Sequence, residues 1–157
     1  MKRASKYNAE NLIRMFRRAA AFRRQCVDAG FSDNMGAIHS AERILHLLGP
    51  ILVHPGMGHL NNLRKHKGAI FSEKALAVHL AGGKVQIEHV APHRALTCLA
   101  IDKIQEGISD EAFAEFIKSA FQIVLLTPEE TAHLNKINRS KIDPDRLKKA
   151  GIVLASN

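Results

Sequence analysis

Val85-Gln86-Ile87-Glu88-His89-Val90-Ala91-Pro92 is the first run of the chain dense in β-branched residues, and it sets a carboxylate beside an imidazole. On a strand, neighbouring side chains point to opposite faces, so Ile87 and His89 share one face while Gln86, Glu88 and Val90 share the other. Neither face is cleanly apolar. The stretch therefore reads as a strand near an edge or a cleft, and its acid and imidazole call for an explanation. Its natural companion is Phe121-Gln122-Ile123-Val124-Leu125-Leu126, a continuous apolar run of strand length that suits a buried strand beside the first.

Around these two runs the pattern is helical. Leu12, Phe16, Ala19, Ala20, Cys26 and Val27 recur at helical steps between Asn8 and Asp28, with Gly30 as a stop. Ser32 or Asp33 caps a second helix whose Ile38, Ala41, Leu45 and Leu48 form one stripe, and Gly49-Pro50 reads as its end. The two helices should form a hairpin. Periodicity is lost from Ile51 to Ile70, where His54 and His59 read as phosphate contacts or plain loop ahead of metal ligands. Ser72 then caps a short helix ending at Gly82-Gly83, and Pro92 stops the strand and opens a helix carrying Leu96, Leu99, Ala100 and Ile104. Ser109 starts another helix, Thr127-Pro128-Glu129-Glu130 has capping-box spacing, and Pro144 to Lys149 holds the last helix signals. The expected fold is α+β, mostly helical, with a small two- or three-stranded β-sheet over residues 84–90 and 121–126.

A chain of 157 residues suits one domain. Within it, residues 1–50 form the basic helical hairpin, 51–83 a loop and short helix, 84–138 the strand and helix core with a helical insertion, and 139–157 a tail helix. Every apolar run is soon broken by a charge or a histidine, so no membrane span is expected, and no apolar segment with a cleavage site follows the basic start. The default compartment is the cytoplasm. Cys26 and Cys98 show no CxxC spacing and read as buried, reduced thiols. Unpaired strand edges in so small a sheet also favour a homodimer that closes it.

The charge is unevenly placed. The chain carries +8, and residues 1–24 hold Lys2, Arg3, Lys6, Arg14, Arg17, Arg18, Arg23 and Arg24 against the single acid Glu10. Such a region favours polyanions, nucleic acid first, with Arg14, Arg17, Arg18, Lys65 and Lys67 as the side chains to grip phosphates. Aromatics are few and several Phe fall at core spacings, which speaks against a single-strand stacking platform, since that needs exposed rings.

The acid-His-apolar-x-Pro string Glu88-His89-Val90-Ala91-Pro92, followed by the second strand and a capped helix bearing His133, resembles the ββα-metal (HNH-type) nucleases over residues 85–138. The resemblance implies a metal-dependent hydrolase of DNA or RNA. It makes His89 the general base and assigns Glu88 and His133 to one divalent ion, Mg²⁺ or a transition metal. His93, Glu130, Asn135 and Asn138 are supporting candidates. The other reading is a non-catalytic nucleic-acid-binding or accessory protein that uses the same basic N-terminal face. The two part on whether Glu88, His89 and His133 converge.

Overall fold

The computed structural model describes residues 7–32 and 36–156. Lys2, Arg3, Lys6 and the Asp33 cap expected from the sequence lie outside the described residues. The expected class is what is found: seven α-helices and two strands among the described residues, with the strands paired antiparallel.

Helix α1 (Ala9–Asp28) starts where Asn8 accepts the Asn11 N–H, and it packs lengthwise on α2 (Ala37–Val53) as the expected hairpin. α2 does not stop at Gly49-Pro50. Pro50 removes one ladder bond, but its carbonyl still accepts from the His54 N–H at 2.8 Å and the helix runs on to Val53. Gly49 is there for contact rather than for ending the helix, because a Cβ at that position would lie 2.5 Å from the Phe121 ring. The segment after it is less irregular than its sequence suggests. It contains a 3-10 helix, Leu60–Lys65, whose start is capped by His59 accepting the Asn61 N–H. His54 is buried with its ring edge-on to His66, centroids 5.1 Å apart.

Helix α3 (Glu73–Leu80) is capped by Ser72, and β1 (Gln86–His89) follows. α4 (His93–Gln105) and α5 (Asp110–Ala120, capped by Ser109) then intervene before β2 (Ile123–Leu126). Phe121 ends α5 instead of opening β2. α6 (Pro128–Ile137) carries the complete capping box of Thr127 and Glu130, and the short α7 (Arg146–Lys149) closes the order.

The sheet divides the core into two layers. Ile123 and Leu125 join the large cluster built by α1 to α5, while Val124 and Leu126 join a smaller one with Leu134, Ala150 and Ile152 under α6 and α7. Alternation along β2, buried on both faces, creates both layers at once. The outer side of β2 is not open, since Leu125 exchanges backbone hydrogen bonds with Ile70 and Ser72, and Phe71 in turn accepts from Ala155. On β1's side, the Val85 and His89 carbonyls accept from Arg64 and Arg146. Of the two edges that favoured a dimer, the outer edge of β2 is therefore covered. Cys26 and Cys98 are unbridged, Cys26 buried and Cys98 half-buried, and Val27, expected in the core, is exposed. Among the described residues no helix is long and apolar enough to cross a membrane.

Candidate functional site

Register decides what each residue of the opening stretch can reach. Glu88 pairs with Val124 and so faces the α6–α7 layer, whereas His89 pairs with Ile123 and faces the α1–α5 layer. Both reach the end of the strand, where a cleft of about 420 Å³ is lined by Glu88, His89, His93, Arg94, Asn135 and Arg139, among others.

On the Glu88 side sits a residue that no local pattern singles out. Arg146 is 1% exposed. Its Nη1 donates to the carbonyls of His89 at 2.7 Å and Val90 at 3.2 Å, its Nε donates to that of Asn138 at 2.8 Å, and Nη2 reaches Asn135 Oδ1 at 3.4 Å. Glu88 Oε1 lies 3.6 Å from the same Nη2. A guanidinium can be buried only with its donors matched, and this one is ringed by oxygens from β1, α6 and the chain that follows each. Burial raises the Glu88 pKa above its usual 4.5, and Arg146 acts in the opposite direction.

The His89 side is a cluster of imidazoles. The His89 ring lies 5.0 Å from His93 and 6.2 Å from His46, centroid to centroid, and packs edge-on against Phe121 at 5.3 Å. His93 Nε2 donates to the Glu42 carbonyl at 2.9 Å, and its buried Nδ1 has no hydrogen-bond partner. Burial, with His93, His46 and Arg146 nearby, pushes the His89 pKa down to about 3, so its ring is neutral at physiological pH. Burial and the neighbouring His93 lower that of His46 as well. Arg94, at the cleft mouth, is ion-paired with Glu42.

The supporting candidates separate. His93 and Asn135 line the cleft with Glu88 and His89. His133 does not. It is exposed and borders a different cavity of about 640 Å³, with Lys74, Val78, Glu129, Glu130 and Ile152. The reason is helical geometry: His133 and Asn135 are two residues apart on α6, about 200° around the axis, so the rotation that turns Asn135 into the cleft turns His133 away from it. Glu130 accepts from the Thr127 N–H and from the Ser72 hydroxyl at 2.6 Å, a structural task on that second side. Asn138 ends α6, with its side chain holding the Lys141 backbone.

The metal ion implied by the resemblance does not fit this donor set. Glu88 already faces a permanent cation, His133 looks elsewhere, and among the described residues no group of three His, Cys, Asp or Glu is placed to hold a metal. A guanidinium between the strand acid and α6 takes the place that the resemblance would give to an ion.

The basic candidates also divide. Arg17 is committed to the fold: Nε donates to Asp110 at 2.7 Å and Nη2 to the Ile108 carbonyl at 2.6 Å, tying α1 to the start of α5. Arg14, Arg18, Lys65 and Lys67 are exposed, Arg14 pairing with Glu10 one turn earlier at 3.0 Å. Phe16, Phe113 and Phe121 are core, as their spacing suggests, whereas Tyr7, Phe22 and Phe31 are exposed. Sequence reasoning missed Arg146, His46, Glu42, Arg94 and Arg139. None sits in a local pattern, and each gains meaning only from a long-range contact. Comparison with protein-family models, curated proteins and solved structures finds no significant match to any of them.

Proposed function

We propose that this chain binds nucleic acid at the cleft beside β1 and does not hydrolyse it. The observation that carries the reading is that Arg139, the Asn135 amide and the Ser140 hydroxyl line one cleft beside the buried Arg146, with Arg94 at its edge held by Glu42. Guanidinium groups match phosphate oxygens bidentately, and amide and hydroxyl groups add neutral hydrogen bonds. A chain of net charge +8 supplies the long-range attraction.

Hydrolysis needs more than grip. It requires an efficient base and a cation free to take up charge on the leaving oxygen. A His89 ring with so low a proton affinity is a weak base, because the best catalytic pKa lies near the working pH. The cation here is locked among carbonyls.

Fluorescence polarisation with labelled oligonucleotides tests the binding. Arg139→Ala should weaken affinity for every sequence and lower the slope of log K against log salt by about one. An unchanged affinity and slope would remove the cleft from the interface. The hydrolytic reading keeps one observation in its favour: the antiparallel strands and following helix bring Glu88, His89 and Asn135 to one cleft. Plasmid nicking by the native chain with Mg²⁺ or Mn²⁺, lost in His89→Ala, would restore that reading.

A further inference from the structure

The outer stripe of α1 is exposed among the described residues and has an unusual composition. At about 100° per residue, Asn11, Met15, Arg18, Phe22 and Gln25 fall within one narrow arc, with Arg14 at its margin. The buried arc, with Leu12, Phe16, Ala19 and Ala20, points the other way. Met15 is 46% exposed and Phe22 53%, and Arg18 Nη1 lies 4.0 Å from Met15 Sδ, so cation and apolar groups form one continuous strip.

We infer that this stripe is a docking face for single-stranded nucleic acid, with a base stacked on Phe22 and phosphates on Arg14 and Arg18. Charge selects the class of partner. The charges on the stripe are Arg14 and Arg18, with Arg17 turned away to Asp110, so the pairing of two copies along it would set arginine against arginine. A membrane surface needs a broad apolar face, and here only Met15 and Phe22 supply one. An unpaired base offers a flat ring for stacking and an adjacent phosphate for the guanidinium, as single-strand platforms require. The Arg14–Glu10 contact is an exposed pair, which contributes little and can be exchanged for a phosphate.

The inference extends the nucleic-acid reading to a second surface and names the strand form, and it is separable from the cleft. Polarisation would compare a labelled oligothymidylate with a duplex of equal length, for the native chain, Phe22→Ala, Phe22→Tyr and Arg139→Ala, with circular dichroism as the check on folding. Phe22→Ala should weaken single-strand binding about tenfold, leave duplex binding nearly unchanged, and be rescued by Phe22→Tyr. That result stands even if Arg139→Ala has no effect, which would remove only the cleft. The inference is overturned by an unchanged single-strand affinity in Phe22→Ala or an equal loss for both strand forms. Tighter binding to phosphatidylserine vesicles than to the oligomer, or a dimer by light scattering that Phe22→Ala dissolves, would also overturn it.

Discussion

The two faces of β1 solve opposite problems of burying charge. On one, the Arg146 guanidinium is buried among carbonyl oxygens that accept from it, with Glu88 beside it as its counter-charge although burial raises the Glu88 pKa. On the other, burial holds His89 as a neutral ring against Phe121 and lowers the pKa of the neighbouring His46 as well. Adjacent residues of one strand thus belong to two electrostatic regimes, because the pleat delivers them to different layers. An acid next to a histidine in sequence is no evidence that the two act on one atom.

The ionised face should be the more fragile to truncation. Arg146→Met removes every donor and leaves Glu88 half-buried opposite no cation. Loss of one partner of such a buried pair costs about 3–5 kcal/mol. Urea denaturation reads this as a lower midpoint with unchanged m-value. Arg146→Lys should recover only a minor part, because an ammonium cannot span carbonyls on separate elements. Near-native stability in Arg146→Met would show that the guanidinium is incidental.

The neutral face should reveal itself through pH. His89 has a folded pKa of about 3 against the ordinary 6.5, so the unfolded chain binds the extra proton between those values. Stability is therefore full above about pH 6.5 and falls as the pH drops toward 3, by up to about 1.4 kcal/mol per pH unit from this group alone. His46, lowered likewise, adds to the same slope. His89→Gln should flatten the decline, seen in thermal melts between pH 7 and 4. An equally steep limb in the variant would place the acid sensitivity elsewhere.

The packing behind the neutral rings gives a smaller effect. In Gly49→Ala the new methyl meets the Phe121 ring, which also backs His89 and His93. Overpacking of this kind costs about 1–3 kcal/mol. Because Phe121 must shift, the variant should also alter the pH limb, a coupling visible in the same melts. Unaltered stability would mean that the α2–Phe121 contact has room to give.

What the sequence made legible follows the range of the interactions involved. Local signals carried far: both strands form within the stretches read for them, each shorter than expected, and the Thr127–Glu130 box stands where its spacing put it. Pro50 was misleading because helix stops are a local rule, and the Phe121 ring filling the groove at Gly49 is a contact across the fold. His133 failed on a point the sequence did contain, since its position relative to Asn135 already placed the two on nearly opposite sides of a helix. Arg146 lay beyond reach. Among Asp145, Lys148 and Lys149 it looks like one more solvated charge, and only the return of the chain under β1 buries it.

Glu88→Gln is the mildest change and the sharpest comparison between the two faces. The raised pKa of Glu88 means that the folded state holds its carboxylate in ionised form less well than water does, despite Arg146. Neutralising it should therefore change stability at pH 7 by no more than about 1 kcal/mol, with Arg146 keeping its carbonyl partners. The sign at low pH is the opposite of that for His89. As the pH falls through the raised folded pKa toward 4.5, native Glu88 takes up its proton before the unfolded chain does, and this gain offsets part of the histidine loss. The glutamine variant lacks the gain, so its stability should fall more steeply with acid than the native chain's, whereas His89→Gln falls less steeply. Melts of both variants across one pH series measure the two slopes together. Parallel curves would mean that the two faces of β1 share one electrostatic environment after all.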